Sequence, residues 1–344
     1  MKGTSTSVAR HLWAAFILLA GLLSVTPGFA QGALEHIKVL GPSLEGNLQG
    51  NDPVRDVHVY LPAGYASSNK RYPVVYFLHG YAVTADIYVN AVLHIPEAAD
   101  AAMAAGALEA IIVMPDAFTA FGGSFYASNP TIGDWESWIA KDLVSYIDSH
   151  YRTIASRAGR GLSGHSMGGY GTLRIGMKYP EVFQALYAMS AGGLLDPVPT
   201  ADEVKVQLER MAAGITNEPR NSSNGMQAKA SAWTPNPQNP PYYFDLPFNE
   251  KGEAIPLVAE KWNANVLLLT LDQNVPALLG FSGIMLDVGN QDSLEVSNSQ
   301  LSEALHKLGV DHRYDIYEGN HGNRVGQRFM EQGLAFFARY LQVE

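Results

Sequence analysis

Residues 159–168 read GRGLSGHSMG and join a short apolar segment to a helical pattern that runs to residue 178. Gly164, Ser166 and Gly168 have the spacing Gly-x-Ser-x-Gly. In that motif the serine occupies a sharp, strained turn between a strand and a helix, where larger neighbours would collide. The strand before and the helix after it favour such a nucleophile elbow, with Ser166 as the nucleophile. The alternative is a glycine-rich turn whose serine caps the helix.

Apolar and β-branched segments alternate with longer helical patterns along the chain. Strands are predicted at 54–61, 73–78, 110–114, 159–162, 185–189, 283–288 and 312–317, and helices at 135–150, 167–178, 201–211, 297–308 and 326–341. This alternation is typical of a mostly parallel sheet with helices on both faces. The predicted fold class is therefore α/β.

Residues 194–279 interrupt this alternation, and residues 231–248 are rich in proline and asparagine. Their aromatic content argues against disorder. We interpret the segment as an insertion between two late strands that folds over one end of the sheet, within a single domain of residues 31–344. Its aromatic side chains either line a pocket for the substrate or pack the insertion onto the sheet: Trp233, Tyr242, Tyr243, Phe244 and Phe248.

The charge and the absence of cysteine exclude several classes of function. The 33 acidic residues outnumber the 23 basic ones, so the chain has no basic surface for a nucleic-acid backbone. Without cysteine there is no disulfide, thiolate nucleophile, cysteine-bound zinc or iron–sulfur cluster. We predict that the chain needs neither a cofactor nor a metal.

The first thirty residues have the pattern of a cleaved signal peptide. Lys2 and Arg10 precede an apolar run at 12–25. As a helix this run would span about 21 Å, which is short of the ~30 Å hydrocarbon core of a membrane. Cleavage is predicted after Ala30, which would leave a secreted or periplasmic protein without a membrane anchor. The alternative is an uncleaved N-terminal anchor.

A serine nucleophile needs a base, and three histidines follow Ser166 in the chain. His306 falls on a predicted helix and His312 at the start of a strand. His321 lies in the loop after the strand that ends near Tyr317, where α/β sheets place their sites. The sequence therefore favours His321 as the base; the alternative is a loop histidine bonded to backbone.

The acid that orients this base has two candidates near the end of the strand at 283–288. Asp287 lies within or at the end of that strand and could brace the loop. Asp292 lies in the loop beyond it, from which its side chain could reach back to His321. We favour Asp292.

Two backbone N–H groups are the usual donors to the oxyanion of a tetrahedral intermediate. One is predicted to be that of Met167, directly after the nucleophile. The other is predicted to be that of Tyr81, with Ala82 as the alternative, because Gly80 lets the loop approach closely. We interpret His79 as a structural residue of this loop and not as a second base.

Several motifs together resemble the esterase D-like family of the α/β-hydrolase superfamily. They lie at 76–80, 113–116, 122–126, 142–147, 164–171 and 287–292, and the similarity extends over about residues 54–341. The family includes feruloyl and acetylxylan esterases, S-formylglutathione hydrolases and mycolyltransferases. One departure is Ala117 after Asp116, where the family often has glycine.

The resemblance implies an α/β-hydrolase fold and a serine carboxylesterase that acts through an acyl-enzyme. It implies a triad of Ser166, Asp292 and His321, with oxyanion donors at Tyr81 and Met167. The implied substrate is a small-molecule or polysaccharide-linked ester. The alternatives are an acyltransferase with an alcohol acceptor and a non-catalytic binding protein on the same scaffold.

Overall fold

The computed structural model describes residues 31–214 and 225–344 besides Met1, and within them a central sheet has eight strands in the order β1-β2-β4-β3-β7-β8-β9-β10. Strands β5 and β6 form a separate hairpin. The predicted leader, apart from Met1, lies outside the described residues. The strands are β1 (Ala33–Leu40), β2 (Val54–Leu61), β3 (Val74–Leu78), β4 (Ile111–Pro115), β5 (Ser128–Asn129), β6 (Gly133–Asp134), β7 (Arg160–His165), β8 (Ala185–Met189), β9 (Gly283–Gly289) and β10 (Arg313–Tyr317).

The described helices follow the alternation expected of an α/β fold. Three π-helical turns, Tyr88–Val92, Trp138–Leu143 and Phe329–Gly333, continue α1, α3 and α12. None of the helices in the described ranges is long and apolar enough to cross a membrane. The helices are α1 (Ala85–Ile87), α2 (Glu97–Ala104), α3 (Trp135–Ser137), α4 (Val144–His150), α5 (Met167–Lys178), α6 (Ala201–Ala212), α7 (Gly225–Trp233), α8 (Pro256–Asn263), α9 (Leu267–Thr270), α10 (Val275–Leu278), α11 (Glu295–Lys307), α12 (Val325–Arg328) and α13 (Leu334–Tyr340).

The six strands from β4 across to β10 run parallel, and within the sheet as described β2 runs antiparallel to both of its neighbours, β1 and β4. All the parallel strands therefore end at the same edge. The loops that follow β3, β7, β9 and β10 meet there, which is where α/β sheets form their binding sites.

Both faces of the sheet are covered. Along β3, Val74, Tyr76 and Leu78 enter one core, together with residues of α3, α4 and α5. Val75 and Phe77 enter a second core on the other face, together with residues of α2, α12 and α13. The period-two alternation of the strand thus separates two hydrophobic layers. The predicted α/β fold class is confirmed.

Edge strand β1 has no counterpart among the predicted strands. Most of its side chains are exposed, so it lacks the apolar pattern by which buried strands are recognised. The seven predicted strands correspond to β2, β3, β4 and β7 to β10, and their bounds differ by a few residues.

The predicted insertion lies between β8 and β9 and is mainly helical, with α6 to α10 in its described part. Trp233 and Phe244 are buried. The Trp233 ring packs 5.5 Å from the ring of Phe125, and that of Phe244 lies 5.7 Å from that of Phe121. Gln49 donates a 2.9 Å hydrogen bond to the carbonyl of Tyr242. These contacts favour the packing interpretation for the aromatic segment.

Candidate active site

Ser166 lies between β7 and α5 with a positive φ of 59° and a ψ of −116°. Non-glycine residues rarely adopt such angles, and they do so mainly at functional sites. A Cβ on Gly168 would overlap the carbonyl of Leu78, and one on Gly164 would overlap the backbone of Gly168. The two glycines therefore let helix α5 start directly against β3, which leaves the serine at the carboxyl edge of the sheet.

A chain of hydrogen bonds joins Ser166, His321 and Asp292. The Oγ of Ser166 lies 2.9 Å from Nε2 of His321, and Nδ1 of the same ring lies 2.8 Å from Oδ2 of Asp292. The carboxylate side chain is 0% exposed, whereas the imidazole is 43% exposed. The arrangement can pass the hydroxyl proton of the serine to a base whose ring is oriented by a buried carboxylate.

The environment of Asp292 keeps its carboxylate ionised. Burial acts to raise the pKa of Asp292, but hydrogen bonds from His321 and from the N–H of Leu294 outweigh it and hold that pKa below its ordinary value. The Leu294 N–H lies 2.9 Å from Oδ1, so each carboxylate oxygen has a donor. The ionised form can stabilise the cation that His321 becomes when it accepts a proton.

Two loops are held together so that Asp292 and His321 can meet. The N–H of Asn290 donates to the carbonyl of Tyr317 at 2.8 Å, and that of Gln291 donates to the carbonyl of Gly319 at 2.9 Å. These bonds extend the parallel pairing of β9 and β10 beyond the strand ends. Because the loops stay paired, residues 29 positions apart in the chain reach hydrogen-bonding distance.

The other acid candidate, Asp287, lies away from this chain of hydrogen bonds. Its carboxylate is fully buried and accepts hydrogen bonds from the hydroxyl of Tyr187 at 2.5 Å and from Nε of Arg328 at 2.7 Å. Burial raises the pKa of Asp287, although both partners act in the opposite direction. Asp287 therefore anchors helix α12 to the sheet.

The two other histidines after Ser166 also lie elsewhere. His306 is exposed on α11. The ring of His312 is hydrogen-bonded to the hydroxyl of Ser302 at 2.8 Å and to the carbonyl of Val310 at 3.0 Å. Of the three candidates for the base, the structure brings His321 alone to the serine.

The predicted oxyanion donors flank the nucleophile. Met167 is the first residue of α5, so its N–H has no partner within the helix. A Cβ on Gly80 would lie 3.4 Å from the Cβ of Ser166, which places the Gly80–Tyr81 peptide beside the nucleophile. The N–H of Ala82 already donates to the carbonyl of Gly122 at 2.9 Å. The geometry therefore favours Tyr81 over the alternative, Ala82.

His165 is a part of the site whose role the sequence analysis missed. Its Nε2 lies 2.7 Å from the backbone carbonyl of His321, and its Nδ1 lies 2.6 Å from the hydroxyl of Tyr88. A carbonyl can only accept, so Nε2 carries the proton and Nδ1 accepts from the tyrosine. His165 thus holds the backbone of the residue that faces Ser166. The Gly-x-Ser-x-Gly spacing contains no signal for this contact.

The burial of His165 predicts a pH-dependent loss of stability. Burial, with the neighbouring His321 in second place, lowers the pKa of His165 from 6.5 to about 3, although the hydrogen bond to His321 and the charge of Asp292 oppose the shift. At a pH between these two pKa values, His165 binds a proton in the unfolded chain but not in the folded protein, so the free energy of unfolding falls as the pH falls. The slope from one such group is up to about 1.4 kcal/mol per pH unit.

We therefore expect His165→Gln to flatten this dependence by about that amount between about pH 6 and about pH 4. Urea unfolding of both proteins across this range measures the difference. Carboxylates that lose stability in acid are common to both proteins and cancel. Equal slopes would contradict the prediction.

No group of three or more histidine, aspartate or glutamate side chains in the described ranges could hold a metal ion.

A family described as "Putative esterase" matches residues 52–335, which is more than half of the chain. The chain belongs to this esterase family. Esterase Rv1288 of Mycobacterium tuberculosis is 36% identical over 128 residues, or 36% of this chain and 26% of that protein. The endo-1,4-beta-xylanase/feruloyl esterase of Xylanibacter ruminicola is 28% identical over 192 residues, or 52% of this chain and 25% of that protein.

The matched segments thus span about a quarter of the length of these two relatives. A solved structure described as a ferulic acid esterase superposes with a TM-score of 0.63 at 23% identity, over 90% of this chain and 99% of that one. These findings confirm the predicted esterase family and the α/β-hydrolase fold, and they support the predicted enzyme class, a hydrolase of carboxylic esters. The roles of individual residues stay predictions.

Proposed function

We propose that this esterase is an exported serine carboxylesterase that acts through an acyl-enzyme. The observation that carries the proposal is the continuous chain of hydrogen bonds from Ser166 through His321 to Asp292, at 2.9 and 2.8 Å. Export is proposed from the leader pattern of residues 1–30 alone. A mature protein that begins at Gln31 would support export, and one that retains the leader would contradict it.

The proposed reaction begins with attack of the Ser166 hydroxyl oxygen on the ester carbonyl while its proton moves to Nε2 of His321. The negative oxygen of the tetrahedral intermediate accepts hydrogen bonds from the N–H groups of Tyr81 and Met167. The partial positive charge at the start of α5 adds to this stabilisation. When the intermediate collapses, His321 returns the proton to the leaving alcohol, and Ser166 is left acylated.

Water then attacks the acyl-enzyme while His321 again accepts a proton. The second intermediate collapses with return of that proton to Ser166, which releases the carboxylic acid. Throughout both halves Asp292 holds the Nδ1 proton of His321 and balances the positive charge on the ring.

For the substrate class we propose feruloyl or short acyl esters, including esters linked to polysaccharides. The names of the xylanase/feruloyl esterase relative and of the ferulic acid esterase structure support this choice. The peptide that joins Gly80 to Tyr81 lies beside the nucleophile, and the half-buried ring of Tyr81 lies 6.1 Å from the ring of Phe125. The Tyr81 ring, with the buried ring of Phe125 behind it, offers an aromatic wall on which a phenolic acyl group could stack.

A comparison of substrates tests this function. We expect hydrolysis of p-nitrophenyl acetate and of methyl ferulate, with kcat/KM for methyl ferulate lowered in Tyr81→Leu more than that for the acetate, because the acetyl group has no ring to stack. The backbone N–H of Tyr81 is kept in this variant. Absence of turnover of both esters by the unmodified protein would contradict the proposed esterase activity. An equal loss of kcat/KM on both esters in Tyr81→Leu would contradict the role of the aromatic wall.

A further inference from the structure

His79, which directly follows β3, makes two hydrogen bonds that define its protonation. The ring is 1% exposed. The N–H of Ala117 lies 2.8 Å from its Nε2, and the carbonyl oxygen of Gly80 lies 2.8 Å from its Nδ1. An amide N–H can only donate, so Nε2 is without a proton. The neutral ring therefore carries its proton on Nδ1 and donates it to the Gly80 carbonyl.

The bond to Gly80 has a consequence on the other side of the same peptide unit. In a trans peptide the C=O of Gly80 and the N–H of Tyr81 lie in one plane and point in opposite directions. A donor that holds the carbonyl on one side therefore sets the direction of the N–H on the other. That peptide lies against the nucleophile, since a Cβ on Gly80 would be 3.4 Å from the Cβ of Ser166.

We propose that His79 is a positioning residue that orients the Tyr81 N–H toward the oxyanion through its hydrogen bond to the Gly80 carbonyl. The inference rests on the proposed function, because the oxyanion forms only if Ser166 attacks an ester. His79 touches neither the nucleophile nor the base in this arrangement. It acts through the backbone of the loop.

The segment that contains Asp116 and Ala117, next to the imidazole of His79, is fixed by hydrogen bonds of its own. The carboxylate of Asp116, the residue before Ala117, accepts hydrogen bonds from Arg55 at 2.5 Å and from the N–H groups of Ala85 and Phe118 at 3.1 and 3.0 Å. Oδ2 of Asp116 lies 4.0 Å from Nε2 of His79, which is beyond hydrogen-bonding distance. The segment that presents the Ala117 N–H is thus anchored independently of the ring.

The other atoms of His79 are also restrained. Its own carbonyl accepts a 3.0 Å hydrogen bond from the hydroxyl of Tyr126. Burial lowers the pKa of His79, although the charge of Asp116 acts in the opposite direction. A proton on Nε2 would face the N–H of Ala117, so the ring stays neutral and keeps one tautomer.

Two substitutions separate positioning from simple packing. His79→Leu removes the donor to Gly80, whereas His79→Asn can place its amide nitrogen near the position of Nδ1 and keep it. Loss of a whole oxyanion donor costs about 10²–10³ in kcat, so we expect a misdirected one in His79→Leu to cost about tenfold to a hundredfold on p-nitrophenyl acetate. KM should change by less than about twofold, because the interaction strengthens only in the transition state.

His79→Asn is expected to retain most of the kcat that His79→Leu loses. In both variants the pH dependence of kcat should match that of the unmodified protein, because His321 is unchanged. Binding of a trifluoromethyl ketone analogue should weaken in parallel with kcat/KM. His312→Asn is the matched control, because it also removes a ring that makes two hydrogen bonds. His312 directly precedes β10, at the end of that strand away from the active site, so kcat should be unchanged. Unchanged kcat in folded His79→Leu, or equal losses in both His79 variants, would overturn the proposal.

The tautomer can be measured in the unmodified protein, which keeps the test independent of how the variants fold. Correlation of ring nitrogens with ring protons by NMR, with His79 assigned by its absence in a variant, should show the proton on Nδ1. A proton on Nε2 would overturn the proposal. Failure of the proposed function is a different result, because the unmodified protein would then lack turnover or Ser166→Ala would retain it.

Discussion

Replacing Ser166 with alanine is expected to lower kcat on p-nitrophenyl acetate by about 10⁴-fold or more, because removal of the nucleophile leaves only binding and the oxyanion donors. The alanine has no oxygen 2.9 Å from the base, so no acyl-enzyme can form. The unmodified protein should also be labelled by a fluorophosphonate probe at this one serine. Peptide mapping of the labelled protein checks the position, and urea unfolding checks that the variant is folded.

Ser163→Ala is the matched control for this experiment. Ser163 lies in the same strand, β7, and its hydroxyl is buried and donates to the carbonyl of Tyr187 at 2.9 Å. Its removal should reduce stability by about 1 kcal/mol and leave labelling intact. Retained turnover or labelling in Ser166→Ala would exclude the proposed nucleophile.

Replacing Asp292 with asparagine is expected to have the next largest effect, a loss of about 10⁴-fold in kcat with little change in fold. The amide has the size of the carboxylate, but it cannot balance the charge of His321. Its NH₂ group can also donate to Nδ1 and leave the ring in the wrong tautomer. Stopped-flow measurement of the acylation step would show the loss directly.

Asp287→Asn distinguishes this role from a merely structural one. Asp287 is as buried as Asp292 but bonds to Tyr187 and Arg328. We expect kcat close to that of the unmodified protein and a free energy of unfolding lower by about 2 kcal/mol, since the charged hydrogen bond with Arg328 is weakened. If the two variants exchange these behaviours, Asp287 is the acid and the proposed triad is wrong.

The choice between these two aspartates shows the limit of sequence reasoning at the site. Both lie near the end of one buried strand, and the residue types alone do not distinguish them. Alternation along β9 puts Asp287 on the face where Arg328 of α12 packs, whereas the loop after Gly289 turns Asp292 toward His321. That turn depends on pairing with the loop after β10, which is distant in the chain.

The helices of the insertion show the same limit in the fold. Of the helices described within residues 194–279, only α6 was predicted, because α7, α8, α9 and α10 have nine, eight, four and four residues. Apolar periodicity needs a window of about eleven residues or more to identify a helix. Short helices of this kind are stabilised by tertiary packing, here within the same hydrophobic core as one face of the sheet, and carry little pattern of their own.

The amino-acid sequence by itself determined the alternation of strands and helices, the elbow at Ser166, and the position of His321 after the last strand. These features follow from local rules: strand and helix periods, and the steric demand for glycine beside a strained serine. Only the tertiary structure decided which aspartate meets His321, that His165 holds the His321 backbone, and that the Gly80 carbonyl faces His79. Hydrogen bonds between loops far apart in the chain have no periodicity, so they become visible only when the sheet has brought those loops to one edge.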